Sequence, residues 1–294
     1  MQRVSDNYRK LRNTFRFLLG NLHDFDPATN AGRDFAKLEP LDQYILARTA
    51  ELDAKIRRAY DDFEFHRAYH ALNEYTNSDL SALYLDVLKD RLYTFAPNHP
   101  ARRSAQTSLW RIAEALTRLV APILSFTTDE VWQSLPAVQN REPSVHLALF
   151  PAVAEIVPGN VKSLEDDWQK LLAVRSEVLI SLEAARQAKL IGKGLDAHIH
   201  IEASEPTLSL LNRYETSLKE LFNVSQITLA HIEHPNGETR VTTSSAEGLK
   251  CERCWNYTTD VGQDARFPTV CLRCADALDA IGYPPYTASS PTTE

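Results

Sequence analysis

The four cysteines of this chain form two knuckles near its C-terminus, Cys251-Glu-Arg-Cys254 and Cys271-Leu-Arg-Cys274, separated by sixteen residues. A two-residue gap lets both sulfurs of a tight turn face one ion. The longer gap lets the second knuckle fold back over the first, which is the ligand spacing of a tetrahedral four-thiolate zinc site. Other uses of the same residues fit less well. A redox Cys-x-x-Cys needs a single pair at a strand-to-helix junction. Two disulfides need a secretory signal, and a rubredoxin-like iron centre shares the ligand set of the commoner zinc. With four thiolates bound, the ion has no position for water. It is one structural Zn2+ that folds a segment too poor in apolar residues to hold itself together.

Function then falls to what the knuckles display: Arg253, Trp255, Asn256, Tyr257, Arg266 and Arg273. Aromatic rings beside arginines are what unstacked nucleic-acid bases bind. The alternative is that the rings cover the metal or pack on a neighbouring domain. For Tyr257 that alternative is preferred; for Trp255 both readings stand. A second basic set opens the chain. Arg9, Lys10, Arg12 and Arg16 recur along a helical pattern whose apolar stripe is Tyr8, Leu11, Phe15, Leu18 and Leu22. Such a row is a solvated helix face or a phosphate-tracking one. The local excess matters because the chain as a whole carries a formal net charge of −7, which argues against indiscriminate binding of polyanions.

The elements that position these groups are mostly helical. Ser5–Gly20 begins on cap-type residues and ends on glycine. Pro40–Tyr60 starts on a helix-initiating proline. Phe63–Tyr75, Asp79–Asp90, Ala101–Ala121 and Thr127–Ser134 follow, with Pro122 kinking or ending Ala101–Ala121. Their brief loops predict antiparallel neighbours, hence a helix bundle over residues 1–134. His66 and His70 lie one helical turn apart, but the Glu of a zincin motif is missing, so they read as polar bundle positions.

Residues 135–160 carry four prolines without helical periodicity and predict a linker. Residues 161–248 read as a small α/β domain, with a helix over Leu164–Leu190, strands over Asp196–Glu202 and Val224–Ala230, and a helix over Pro206–Phe222. The intervening Gly192-Lys-Gly194 lacks the phosphate-loop pattern. The zinc-binding element spans 249–280, and 281–294, rich in Ser, Thr and Pro, predicts a disordered tail. The fold class expected is therefore mainly α, an antiparallel helix bundle followed by a small α/β region with a four-cysteine zinc knuckle. No apolar run reaches membrane-spanning length, and the N-terminus lacks a signal-peptide core. With reduced thiols, these features predict a cytoplasmic protein.

Several segments carry a family resemblance. Ser5-Asp-Asn-Tyr-Arg-Lys-Leu-Arg-Asn-Thr14 with Phe17-Leu-Leu-Gly-Asn-Leu22 resembles the start of the anticodon-binding helical domain of bacterial isoleucyl-tRNA synthetases. Ser144-Val-His-Leu147 with Phe150-Pro151 is similar to the segment closing that domain. Ala188-Lys-Leu-Ile-Gly-Lys193 resembles the C-terminal junction, and Cys251-Glu-Arg-Cys254-Trp255 the zinc-binding end. The match runs in the family's order from about residue 5 to about residue 280.

The resemblance implies recognition of the anticodon arm of isoleucine tRNA, with no role for DNA or a membrane. In that setting Arg9, Lys10, Arg12 and Arg16 are the candidates for phosphate contacts. Trp255, supported by Arg253, is the candidate for stacking on loop bases. The family's catalytic motifs, His-x-Gly-His and Lys-Met-Ser-Lys-Ser, do not occur; Met1 is the only methionine. The expectation is a non-catalytic C-terminal part of a ligase, whether truncated reading frame, expressed domain or half of a split gene, whose partner is the missing N-terminal catalytic half. A free-standing RNA-binding or protein-interaction module derived from such a C-terminus is the alternative.

Overall fold

The structure, a computed structural model, describes residues 2–30, 35–157, 162–233 and 239–286. Helix is the dominant element among the described residues, which makes the class mainly α. The chain divides into two compact units, Met1–Leu92 with Asn98–Glu165, and Tyr93–Pro97 with Asp166–Glu294.

The first unit is built on helices α1 (Gln2–Gly20), α2 (Pro40–Asp61), α3 (Phe65–Glu74), α4 (Pro100–Val120) and α5 (Ser125–Ser134). The apolar stripe of α1 is buried at Leu11, Phe15 and Leu18, and Leu22 beyond its end is buried too. Helices α2 and α4 each start on a proline, whose fixed φ and missing N–H suit the first turn. Instead of breaking after Tyr75, α3 runs into a π-helical stretch, Tyr75–Tyr84. Asn73 and Asn77 bond back to the carbonyls of Tyr69 (3.0 Å) and Asn73 (2.7 Å). These local side-chain bonds occupy backbone acceptors that regular α-helix would use.

Packing is only partly antiparallel. Helices α2 and α3 run antiparallel, since Thr49 meets Tyr75 and Arg48 meets Asp79. By contrast α2 and α4 run parallel: the Glu39 N–H donates to Ser104 Oγ (2.8 Å) at one end, and the Tyr60 hydroxyl to the Leu119 carbonyl (2.9 Å) at the other. The helical run between them returns the chain to the starting end. Asp42 pins this core. Its buried carboxylate accepts from Tyr84 (2.7 Å), Arg91 (3.1 Å) and Ser104. Burial pushes that carboxyl up, while Arg91, Ser104 and Tyr84 pull it back.

The proline-rich segment after α5 packs into this same unit. Trp132 Nε1 donates to the Glu142 carbonyl (2.8 Å), and Arg141 lies over the Trp132 ring at 4.4 Å. Val145, Ile156 and Val157 are buried. Prolines that exclude regular structure do not prevent burial of the apolar residues between them. Pro158 and Gly159 of the predicted linker lie outside the described residues.

In the second unit, α6 (Lys162–Gln187) buries Trp168, Leu171, Val174, Val178, Leu182 and Ala185, a stripe at steps of three and four. After it come β1 (Ala197–Ala203), α7 (Thr207–Arg213), α8 (Glu215–Phe222), β2 (Gln226–His231) and β3 (Arg240–Ser245). The sheet order is β2-β1-β3, with β1 parallel to β2 and antiparallel to β3. Ala197, Ile199, Ile201 and Ala203 of β1 turn to the buried face. A two-stranded ribbon, β4 (Leu249–Lys250) with β5 (Tyr257–Thr258), and a final helix, α9 (Leu272–Ala280), complete the unit.

The predicted disordered tail departs from expectation in its first residues. The Tyr286 N–H donates to the Arg266 carbonyl (2.9 Å), and its ring meets Phe267 edge-on at 5.5 Å; the tyrosines supply packing that the Ser/Thr/Pro composition hides. Residues 287–294 lie outside the described residues. Among the described residues no helix is long and apolar enough to cross a membrane.

Candidate metal centre and nucleic-acid interface

The two knuckles are held by different local structures. In the first, the Cys251 N–H donates to the Asn256 carbonyl and the Trp255 N–H to the Cys251 carbonyl, both at 2.9 Å, so the chain turns back on itself around Cys254. In the second, Cys271 is the N-cap of α9 and Cys274 lies in its first turn. The positive end of the helix dipole favours thiolate there. All four sulfurs lie within 4.8 Å of one another and are buried. Cys254 Sγ and Cys271 Sγ are 3.8 Å apart, the edge of a tetrahedron whose centre makes bonds of ~2.3 Å, the zinc–thiolate length.

Thiols crowded in this way share protons unevenly. Hydrogen bonds from Cys254, Cys271 and Cys274 drive the Cys251 thiol far down. Hydrogen bonds with Cys251, Cys254 and Cys271 drive the Cys274 thiol far up. A dication that replaces those protons relieves both. The donor set, its burial and its spacing fit zinc, and Cys251, Cys254, Cys271 and Cys274 form a structural zinc site. Around it Phe267, Val270, Ala275 and Leu278 make a small apolar core, so the metal carries cohesion that so few side chains cannot supply.

Phe267, only 1% exposed, covers the site, whereas Trp255 is 54% exposed. Trp255 holds φ 64, the left-handed conformation that closes the turn after Cys254 and that glycine adopts most easily. Two lysines lie near its indole, with Lys193 Nζ 5.2 Å and Lys250 Nζ 5.8 Å from the ring centroid, both within cation–π range. Each lysine has a fixed base. The Gly192 and Lys193 N–H groups donate to Asp196 Oδ2 at 3.0 and 2.8 Å. Lys250 sits in β4 opposite Tyr257.

Sequence patterns single out neither lysine: Lys193 lies in a glycine-flanked stretch that fails as a phosphate loop, and Lys250 belongs to no motif. Lys250 is a near neighbour of Trp255 in sequence, whereas only the fold brings Lys193 to the same ring. Arg253 is half-buried. Its guanidinium donates to the Thr94 carbonyl and to Cys274 Sγ (3.7 Å), so it braces the knuckle that carries Trp255. Tyr257 is half-buried in the ribbon, its N–H on Ser225 Oγ (2.8 Å). Arg266 is paired with Asp264 and Asp279, and Arg273 lies over the Phe95 ring at 4.7 Å.

In the first unit the α1 row is exposed as expected at Arg9, Lys10, Arg12 and Arg16. Arg9 pairs with Asp6 at 3.2 Å; among the described residues no ion pair engages Lys10, Arg12 or Arg16. His66 and His70 are exposed, and among the described residues the four cysteines are the one group arranged to hold a metal.

Comparison with known proteins agrees with this arrangement. The family model described as the anticodon-binding domain of tRNA ligase matches residues 42–201, and that of the zinc finger found in FPG and IleRS matches residues 248–277. Isoleucine–tRNA ligase of Syntrophotalea carbinolica is 44% identical over 285 residues, covering 95% of this chain and 30% of that protein. The ligases of Carboxydothermus hydrogenoformans and Geobacter sulfurreducens are 43% and 41% identical, again over 95% of this chain and 30% of theirs. The chain thus spans about 30% of the length of the curated relatives it matches. It belongs to the tRNA-ligase anticodon-binding family and corresponds to the C-terminal part of isoleucine–tRNA ligases.

Proposed function

We propose that this chain recognises the anticodon arm of isoleucine tRNA and serves as the tRNA-selecting part of an isoleucine–tRNA ligase. The whole enzyme would join isoleucine to its tRNA at the expense of ATP, in the cytoplasm. The observation that carries this reading is Trp255, an exposed indole on a knuckle turn with two lysines near its ring. A ring held in this way is ordered before binding, so stacking on an unpaired base costs little further entropy. The flanking ammonium groups are available to the phosphates on each side of such a base. Lys10, Arg12 and Arg16, with Arg9 beside them, serve as phosphate contacts that set register, and Arg253 acts by stiffening the knuckle.

Anisotropy titrations of the zinc-loaded chain with isoleucine tRNA and with a non-cognate tRNA at one salt concentration test the proposal. Tighter binding of isoleucine tRNA by tenfold or more is expected. Equal binding of both tRNAs points to the free-standing RNA-binding alternative, and binding of neither to a protein-interaction module.

A further inference from the structure

Strand β1 carries ligand chemistry of its own, outside the knuckles. Its side chains alternate, so Ala197, Ile199, Ile201 and Ala203 fill the core while His198, His200 and Glu202 share the opposite face. The two histidines are half-buried. Their rings are stacked, with centroids 4.0 Å apart and planes 31° from parallel. Alternate residues of a strand stand roughly 6.6 Å apart along the chain, so the two rings lean toward each other. The four cysteines are the one group of three or more ligand side chains gathered among the described residues; this is a pair, and a pair can still chelate.

The bed around the rings is polar. On β2, Gln226 lies opposite His198 and Thr228 opposite His200; on β3 the partners are Ser244 and Thr242. Thr228 Oγ1 is 2.8 Å from His198 Nε2. That contact holds the ring and leaves Nδ1 as its free ligand atom; a histidine that ligates through one nitrogen is commonly fixed through the other. Gln226 Nε2 donates to the Glu247 carbonyl (2.9 Å), and the Glu247 N–H donates to Gln226 Oε1 (2.8 Å). These bonds set Glu247 at the His198 end of the strand. At the other end Glu202 is paired with Arg240 (3.4 Å). Burial and the charge on His200 push the His198 imidazolium down; Glu247 opposes them and Lys219 of α8 adds to them. The ring therefore favours its neutral form, the one that binds metal.

Two imidazoles at this separation suit one ion. Nitrogens bound to one dication at ~2.0–2.1 Å sit roughly 3 Å apart, and the tilt of the rings brings one pair of their edges closer than the centroids. Imidazole donors suit zinc, nickel and copper, whereas Mg2+ and Ca2+ take oxygen. We propose that His198 and His200 chelate one exchangeable transition-metal dication, Zn2+ in the first place, on the face of the β2-β1-β3 sheet turned away from the core. Two protein ligands leave the remaining positions to water. The ion is accordingly held more loosely than in the knuckles, and it enters and leaves without unfolding the chain. This site does not depend on RNA recognition and shares no ligand with the cysteine cluster.

The test titrates the untagged full chain, already loaded with its knuckle zinc, with zinc chloride in a non-coordinating buffer at neutral pH. Binding is followed by calorimetry and by nitrogen–proton NMR of the imidazole rings. One further equivalent of zinc is expected, with the ring resonances of His198 and His200 shifting together. His198→Gln and His200→Gln should each weaken that equivalent at least tenfold. Knuckle zinc content, and the unfolding temperature without added metal, should stay at the parent values. His66 and His70, one helical turn apart, are the competing pair; His66→Gln combined with His70→Gln should leave the further equivalent intact. Should a strand variant melt lower than the parent, the ring shifts of the parent chain decide alone. Absence of a further equivalent, with the rings unmoved by metal, reduces the pair to stacked aromatics and overturns the proposal. An equivalent that survives both strand variants, or that disappears with the helical pair, overturns it as well.

Discussion

Replacing Trp255 by glycine and by alanine separates the ring from the backbone that carries it. Both variants lose the same indole, about half of which is exposed. They differ in how readily the backbone holds φ 64. Alanine keeps the left-handed strain of about 1–2 kcal/mol that glycine sheds, less the ~0.5–1 kcal/mol that glycine adds through its freer unfolded chain. Trp255→Gly should therefore be more stable than Trp255→Ala by roughly 1 kcal/mol. Binding to isoleucine tRNA should fall equally in the two, because stacking on a base contributes about 1–3 kcal/mol, a loss of about fivefold to over a hundredfold in affinity. Urea midpoints and anisotropy titrations on zinc-loaded protein, with metal content checked by mass spectrometry, read the two effects apart. A glycine variant that binds tRNA like the parent chain refutes the role of the ring. Equal stability of the two variants refutes the strained turn, and loss of zinc from both makes Trp255 a structural cover for the metal.

Reversing Arg12 and Arg16 to Glu should weaken tRNA binding and flatten its dependence on salt, by roughly one unit of slope for each phosphate no longer neutralised; titrations at two salt concentrations decide whether the α1 row is more than a solvated face. Gly248→Ala should disrupt the β4–β5 ribbon and raise the zinc dissociation rate under a chelator, since at φ 92 an added Cβ would collide with the Thr258 carbonyl. Burial raises the Asp24 carboxyl, but hydrogen bonds from Arg102 and Gln106 more than offset it and bring it from 3.8 to about 2. A folded-state value below the unfolded one means stability that is whole above about pH 4 and lost as pH falls through about 2. Asp24→Asn should accordingly lower the melting temperature at neutral pH and show a shallower decline across that window.

What is legible in the sequence is local. Cysteine spacing is a statement about two tight turns, and those turns follow from a few adjacent residues. The stripe of α1 is readable because a helix repeats its buried face every three or four positions. Interactions between distant segments are not. Lys193 reaches Trp255 from the segment ahead of β1, and no period links the two residues. Strand β3, Arg-Val-Thr-Thr-Ser-Ser, is hidden in the sequence because its inward residues include threonine: Thr243 meets Ser181 of α6 through a hydroxyl contact of 2.7 Å, where hydropathy shows no alternation. Asp42 reads as an ordinary polar residue in the first turn of a helix. It is buried because Tyr84, Arg91 and Ser104 converge on it from three separate segments.

The distribution of charge determines how such a chain can hold a polyanion. With a formal net charge of −7, it offers no broad positive field, and beyond a screening length of ~8–10 Å its local basic groups exert little pull on phosphate. Many of its arginines are also occupied: Arg57, Arg118, Arg141, Arg213 and Arg266 each sit on a carboxylate. Among the described residues, Lys10, Arg12 and Arg16 of α1 are exposed and outside any ion pair, and Lys193 and Lys250 lie near the Trp255 ring. Recognition built in this way gains little from long-range steering and depends on contact. On the proposed function, a wrong RNA would lack the compensating stack and phosphate contacts, and the acidic balance of the chain would then add to discrimination by Trp255 rather than oppose it.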